Sequence, residues 1–171
     1  MQRPVVACFL YLLFQVTANA TEFDLQLREA GHPTTSSSRL WLLAESRHWQ
    51  VRQVIARNRK APQDLLHMLA SDPDSQVRIG VATNLKTAEK TFLLLTKDKD
   101  ASVRSVVARF EYVPVSALRI LARDKLADIR QEVARNLNVT EDVLHVLSQD
   151  SHQEIRSIAR HGLQRLKVEG Q

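Results

Sequence analysis

The stretch "SDPDSQVRIGVATN", residues 71–84, recurs along the chain with a fixed period. Four other stretches align with it: "ESRHWQVRQVIARN" (45–58), "KDKDASVRSVVARF" (97–110), "RDKLADIRQEVARN" (123–136) and "QDSHQEIRSIARHG" (149–162). One arginine keeps its place in all five copies, 26 residues apart each time: Arg52, Arg78, Arg104, Arg130 and Arg156. The chain therefore contains an internal repeat, which decides how the rest of the sequence is interpreted.

Two apolar positions keep step with the arginines. They hold Leu40, Leu66, Phe92, Leu118 and Leu144, and Leu43, Leu69, Leu95, Leu121 and Leu147. Their spacing predicts two short helices in each unit, and no stretch shows the sustained alternation typical of a strand. A helix pair this short cannot bury its own apolar stripe, so consecutive units have to stack. We expect an all-α solenoid of about five two-helix repeats over residues 36–166.

Polar residues mark where these helices should begin and end. One repeat position holds hydrogen-bond acceptors suited to a helix N-cap: Ser46, Asp72, Asp98, Asp124 and Asp150. At the other end, Asn58, Asn84 and Asn136 fall where the second helix must stop. Because asparagine tolerates the left-handed backbone conformation, we expect it to terminate those helices in that conformation.

The first twenty residues, "MQRPVVACFLYLLFQVTANA", have the order of a secretory signal peptide: Arg3, an apolar run and a small-residue site ending at Ala20. The alternatives are an uncleaved anchor and a mis-assigned start. Cleavage would remove Cys8, the only cysteine, and would leave no thiol for a disulfide, a nucleophile or a metal site. We expect export to the periplasm or the exterior.

The remaining chain divides into three parts. Residues 21–38 form an N-terminal segment, which we expect to contain a short helical piece up to Ala30. A Gly, Pro, Thr and Ser cluster follows it and is typical of a linker. Residues 39–166 form the repeat domain, and residues 167–171 form a C-terminal tail. Trp41 and Trp49 both fall in the first repeat, where we expect them to close the exposed end of the core rather than to stack on a ligand.

The recurring pattern "N..(T/A)P..LL..LA.DP...VR..VA.N" resembles the leucine-rich-repeat-variant family and, more broadly, the HEAT-like α-solenoids. The resemblance covers about three quarters of the chain and implies a right-handed superhelix that binds other molecules. It also implies ladders of Asp and Arg side chains between neighbouring repeats. Some members of the variant family carry an iron–sulfur cluster on amino-terminal cysteines, and that feature is not carried over to a mature chain without cysteine.

The Asp and Arg positions themselves indicate a structural role, because they recur in every unit: Asp72 and Arg78, Asp98 and Arg104, Asp124 and Arg130, Asp150 and Arg156. Two residues six apart on one helix lie on different faces. We therefore expect each arginine to contact a neighbouring repeat rather than the aspartate of its own unit.

A second basic position follows the ladder arginines by five residues. It holds Arg57, Thr83, Arg109 and Arg135, with Arg160 close by in the irregular last copy. These side chains would project along one edge of the solenoid and could bind an acidic partner. The alternative is that they only offset the helix dipole at the ends of their helices.

The sequence contains no local signature of a catalytic or metal site. The six histidines show no paired metal spacing, four glycines form no phosphate loop, and no acidic or histidine cluster departs from the repeat. We predict no enzyme activity, no catalytic residue, no metal and no cofactor. A local signature for a catalytic triad is absent, although triads assemble in space rather than in sequence.

The net charge of +5 would attract an acidic protein, an anionic lipid, a glycan or a nucleic acid, and charge alone does not choose among them. We expect an exported, non-enzymatic scaffold that binds another protein through its extended surface and its basic edge. The alternative is binding of an anionic polymer or surface through that edge. Export argues against a nucleic acid as the partner.

Overall fold

The computed structural model describes residues 21–169, and these residues form eleven helices and no strand. The prediction of an all-α fold is confirmed. The helices are α1 (21–31), α2 (Ser37–Leu43), α3 (Trp49–Arg57), α4 (Gln63–Leu69), α5 (Ser75–Ala82), α6 (Glu89–Leu95), α7 (Ala101–Arg109), α8 (Val115–Leu121), α9 (Ala127–Arg135), α10 (Glu141–Leu147) and α11 (Gln153–Glu169). The predicted signal peptide lies outside the described residues.

Each 26-residue unit is a short first helix followed by a longer second helix. The second helices α3, α5, α7, α9 and α11 contact one another in that order, and each first helix packs on the second helix of its own unit. The predicted solenoid of five stacked helix pairs is thereby confirmed, while its right-handed sense stays a prediction from the resemblance.

One hydrophobic core runs the length of the stack, from Ala30 to Ala159. Both predicted apolar positions are buried in every repeat, since no leucine or phenylalanine at either position is more than 4% exposed. The second helices add a small residue at their closest approach. Gly80 of α5 lies so near α3 that a Cβ atom there would meet the Cβ of Ala56 at 2.9 Å. The layer of second helices is therefore the tightly packed one.

The N-terminal segment, residues 21–38, begins with a helix that packs on the core of the repeats. Residues 21–31 form α1, whose Ala30 is fully buried and whose Phe23 and Leu27 pack on the core. This helix occupies the place of a second helix in a preceding unit, since Ala30 lies 26 residues before Ala56. Helix α1 covers the end of the core that Trp41 and Trp49 were predicted to close. These two tryptophans remain 40% and 37% exposed.

The predicted N-cap residues lie two positions too early. The helix after Asp72 begins behind Asp74, whose Oδ1 accepts a hydrogen bond from the N–H of Gln76 at 2.8 Å. Asp72 Oδ1 accepts the N–H of Asp74 itself at 2.9 Å. The same turn recurs at the other aspartates of this position, because Asp98, Asp124 and Asp150 accept the N–H two residues ahead. These carboxylates shape the loop before the helix, and capping bonds are made by Asp74 and Asp100 instead.

The predicted role of the asparagines is also corrected. No residue other than glycine has a positive φ among the described residues, and the backbone of Asn58 and Asn136 is extended. Their side chains work across repeats instead. Asn84 Nδ2 donates to the carbonyl oxygens of Ala56 and Asn58 at 2.7 and 3.1 Å, and its Oδ1 accepts the N–H of Lys86. Asn58 and Asn136 make the equivalent bonds to their preceding units.

The third unit lacks this asparagine and carries Phe110 in its place. The Phe110 ring stacks on Phe92 with 6.0 Å between centroids and meets the edge of Tyr112 at 5.9 Å. An aromatic contact within the third unit and the loop after it therefore stands where the other units have side-chain hydrogen bonds to the preceding unit.

Candidate functional site: two edges of the solenoid

Because the two helices of each unit run in opposite directions, their ends meet at two edges of the stack. We call the edge where first helices end and second helices begin the ladder edge, since it carries the repeating Asp and Arg residues. The opposite edge, where second helices end, carries Arg57, Arg109 and Arg135 and is called the basic edge. Each edge holds one of the two sets of residues that the sequence singled out.

Arg78 shows how the ladder is built. Its Nε and Nη2 donate to the two carboxylate oxygens of Asp98, in the next repeat, at 2.7 and 2.9 Å. Its Nη1 donates to the backbone carbonyl of Asp72, in its own repeat, at 2.8 Å. One buried guanidinium thus ties the loops of two consecutive repeats with charge-assisted, two-pronged geometry.

The same arrangement repeats along the edge. Arg52 reaches Asp72, Arg104 reaches Asp124 and Arg130 reaches Asp150, with closest N–O distances of 2.6, 2.7 and 2.6 Å. The arginine side chains are 5–14% exposed and the aspartates 5–7%. Each arginine also donates to a carbonyl six residues before it. Each of these four arginines therefore donates hydrogen bonds to two loops, and its aspartate belongs to the following repeat.

The two ends of the ladder differ from its middle. At the start, Gln26 of α1 and Ser46 occupy the arginine and aspartate positions, and the serine hydroxyl donates to Gln26 Oε1 at 2.7 Å. The first rung is therefore neutral. At the far end, Arg156 donates to the carbonyls of Asp150 and Ser151 and makes no carboxylate contact within the described part of the chain.

Hydrogen bonding in the ladder shifts the pKa of its members. The carboxylates raise the pKa of Arg52, Arg78, Arg104 and Arg130 above its usual value, chiefly through the side-chain hydrogen bonds that they accept. The Arg130 hydrogen bond, aided by the N–H of His152, holds the pKa of Asp150 well below its usual range against the opposing effect of burial. At Asp124 burial is the largest single effect and would raise the pKa, but the bonds from Arg104 and the Leu126 N–H together outweigh it. Asp124 and Asp150 are therefore ionised at neutral pH.

The arrangement of the ladder leaves little capacity for chemistry. Both oxygens of each aspartate accept hydrogen bonds, and each guanidinium is held from two sides. Within residues 21–169 no group of three or more His, Cys, Asp or Glu side chains could hold a metal ion. Over the same residues, every helix is too short or too polar to cross a membrane. The geometry thus describes cross-links between repeats.

The basic edge is less regular than the sequence suggested. Arg57, Arg109 and Arg135 lie exposed in the last turn of α3, α7 and α9, but Thr83 interrupts the row at the end of α5. Arg160 is exposed in the middle of α11, a helix that continues to Glu169, so it does not sit at a helix end. The structure therefore separates Arg57 and Arg160 from the neighbouring pair Arg109 and Arg135.

Around Arg57 the structure assembles a cationic cluster that the sequence pattern did not single out. Arg57, Arg59, Lys60 and Lys86 line one depression of about 520 Å³, together with Gly31, Pro33 and Asn58. Within residues 21–169, none of these four cations lies within 4.0 Å of a carboxylate oxygen, although other cations form such ion pairs. We call this feature the basic depression. Its sequence signal is weak, because Lys60 and Lys86 share a repeat position with Tyr112 and Asn138.

Arg109 and Arg135 line a second depression, of about 270 Å³, which also contains Glu111 and Glu132. Arg135 is already paired with Glu154 of α11 at 3.3 Å, and Gln131 donates to the same carboxylate. The mixture of charges and the existing ion pair make this depression a weaker attractor for an anion than the basic depression.

The family model described as Leucine Rich Repeat Variant domain matches residues 24–84. This match confirms the resemblance predicted from the repeat pattern. It also includes residues 24–31 of α1, a helix that the sequence pattern had left outside the repeats. Neither the curated proteins nor the solved structures gave a significant match to the chain. The matched family is one of repeat scaffolds.

The ladder predicts a large loss of stability when one arginine is removed. Arg104→Ala would leave the Asp124 carboxylate buried without its partner, at a cost of about 3 kcal/mol. For a chain of this size that corresponds to a melting temperature about 6–12 °C lower. Thermal unfolding followed by circular dichroism measures the change.

Arg119→Ala provides the matched control. Arg119 also reaches the aspartate of a neighbouring repeat, Asp142, at 2.8 Å, but both side chains are more than half exposed. Water screens such a pair, so we expect a much smaller shift. Equal shifts for the two variants would show that the ladder is only a set of surface ion pairs.

Acid should weaken the ion pair between Arg130 and Asp150. Because the folded pKa of Asp150 lies below the unfolded value of about 3.9, its contribution is complete above about pH 4 and declines as pH falls toward the folded pKa. Asp150→Asn lacks this carboxylate and should be less stable than the native chain at pH 7. The stability gap between the two, measured by urea unfolding, should shrink from pH 5 to pH 2. A gap that stays constant over this range would refute the assignment.

Proposed function

We propose that this chain, whose first repeats match the leucine-rich-repeat-variant family, is an exported, non-enzymatic scaffold that binds an acidic segment of a partner protein at its basic edge. The basic depression is the observation that carries this proposal. Four cations surround one concavity without a carboxylate within ion-pair distance among the described residues. An acidic partner would supply the missing charges.

The solenoid gives such a site its precision. Stacked repeats hold side chains at regular intervals, so several weak contacts act in register. Arg57 ends α3, a helix whose position is fixed by the buried ladder on one edge and by Asn58 and Asn84 on the other. The cations are therefore presented on a rigid support, which reduces the entropy lost when a partner binds.

Export rests on the order of residues in positions 1–20, where Arg3 and an apolar run precede Ala18, Asn19 and Ala20. The partner is then expected in the periplasm or outside the cell. The absence of cysteine from the mature chain suits an oxidising compartment, because no thiol is left to form unwanted disulfides.

Charge reversal at the basic depression tests the proposal. The chain, expressed with its own residues 1–20 and a C-terminal tag, is used to capture partners from extracytoplasmic fractions. Arg57→Glu with Lys86→Glu should fold normally and lose at least about tenfold in affinity for the captured protein, because two attractive contacts become repulsive. The matched control is Arg109→Glu with Arg135→Glu, which makes the same change in net charge and should lose less.

Three results would contradict parts of the proposal. A partner that both double variants retain would exclude the basic edge. Capture of lipid or polymer alone, with a steep dependence on salt, would favour the anionic-surface alternative. An intact mass that still includes residues 1–20 would exclude cleavage after Ala20.

A further inference from the structure

A row of exposed apolar side chains follows the first helices of all five repeats. One repeat position holds Leu42, Met68, Leu94, Ile120 and Val146, whose exposed fractions are 61%, 44%, 40%, 40% and 37%. Each of them directly precedes a leucine that is at most 4% exposed and belongs to the core. We call these five residues the apolar row.

Single exposed apolar residues are ordinary on protein surfaces, but a contiguous set is not. Packing within one unit does not require an apolar residue here, because the core leucine beside it already provides the contact. Stacking of the repeats places the members of the row next to one another along the ladder edge. Helices α6 and α8, which carry Leu94 and Ile120, contact each other, so the middle of the row is an apolar surface with no cover in the described part of the chain.

Cations flank the middle of the row. Lys97 and Arg123 lie one turn beyond Leu94 and Ile120, and their backbone N–H groups donate to the carbonyls of those residues at 3.1 Å in both cases. With Lys99 and Lys125 they form a group that we call the cationic flank. Within the described residues, none of its four members lies within 4.0 Å of a carboxylate oxygen.

The aspartates between these cations are already paired with ladder arginines, although Asp124 also interacts electrostatically with Lys125. Asp98 and Asp124 sit inside the sequences "KDK" and "RDK", but their carboxylates are bound by Arg78 and Arg104 of the ladder. In the first, second and fifth repeats the position of Lys97 holds Glu45, Ser71 and Gln149. The positive charge is therefore concentrated beside the third and fourth members of the row.

Two local features add to this surface. Leu94, Lys97 and Lys99 line a groove of about 300 Å³ with Pro73 and Ser71 of the preceding repeat. In the fourth repeat Leu126 takes the N-cap position that Asp74 and Asp100 hold, makes no capping bond and stays 40% exposed. A helix cap has been replaced there by an apolar side chain next to the row.

We infer that the apolar row with its cationic flank is a second docking surface, whose occupant is an acidic amphipathic segment of a partner protein. It lies on the ladder edge, opposite the basic depression, and does not depend on the function proposed for that edge. Apolar side chains of the segment cover Leu94, Ile120 and Leu126, and its carboxylates pair with the cationic flank.

The spacing and shape of the surface favour a polypeptide over a membrane. Packed helices lie about 8–10 Å apart, and an α-helical partner places residues seven apart at a separation of about 10.5 Å. One side chain per repeat can thus meet each member of the row. The row is half covered by its surroundings and opens into a groove, which admits an inserted side chain and not a flat lipid surface.

A display library of random 16-residue peptides, selected on the immobilised full chain, tests this inference. Enriched peptides should be acidic, with an apolar residue recurring at helical spacing. Their affinity should fall at least tenfold for Leu94→Ser with Ile120→Ser, and also for Lys97→Glu with Arg123→Glu. Circular dichroism melting confirms that both double variants are folded, and the charge variant leaves the apolar row intact.

The matched control is Lys60→Glu with Lys86→Glu, which changes the net charge equally but lies at the basic depression. Retained peptide binding in this control supports a separate surface, whether or not the same variant loses binding of the partner proposed for the basic edge. Failure to enrich acidic apolar peptides, or equal loss in the control, would overturn the inference. Binding to vesicles of phosphatidylglycerol and phosphatidylcholine that depends on Leu94 and Ile120, without peptide binding, would also overturn it.

Discussion

A buried arginine that bridges two consecutive repeats is the interaction on which the rest of this structure depends. Four ladder arginines each donate to an aspartate 20 residues ahead and to a carbonyl six residues behind: Arg52, Arg78, Arg104 and Arg130. The aspartate uses the same carboxylate to shape the loop that starts the next helix. Stacking, charge neutralisation and loop geometry are therefore coupled, and a change in one of them disturbs the other two.

This coupling leaves different chemistry at the two edges. On the ladder edge the charges are internal and compensated, so a lysine or arginine added beside them, such as Lys97 or Arg123, remains available to a partner. On the basic edge neutral asparagines hold the repeats together through backbone carbonyls. The cations of the basic depression are therefore not needed to join the repeats. Both candidate surfaces consist of side chains that are not needed to hold the repeats together.

The repeat period predicted the helix pairs and the buried leucines because those features depend on one residue type at a fixed interval. The period also placed the ladder arginines against a neighbouring unit, since six residues on one helix separate two faces. It did not show which hydrogen-bonding group each polar residue would use. Asp72 was expected to cap a helix and Asn84 to adopt a left-handed backbone, yet both instead bridge segments through their side chains. Helix α1 was not predicted to be part of the repeat stack, because Gln26 and Ala30 belong to a unit without the Asp and Arg signature. The basic depression was missed because it unites positions from two different units.

A double-mutant cycle on Arg78 and Asp98 tests the central role of the ladder most directly. The free energy of unfolding is measured in urea for Arg78→Ala, Asp98→Ala and the double variant, with Arg119 and Asp142 as the exposed pair for comparison. A structural cross-link predicts that the double variant is hardly less stable than either single variant, with a coupling free energy on the order of 2–3 kcal/mol for the buried pair. The coupling for the exposed pair should be close to zero. Additive losses at Arg78 and Asp98 would contradict the ladder as the constraint that holds the repeats in register.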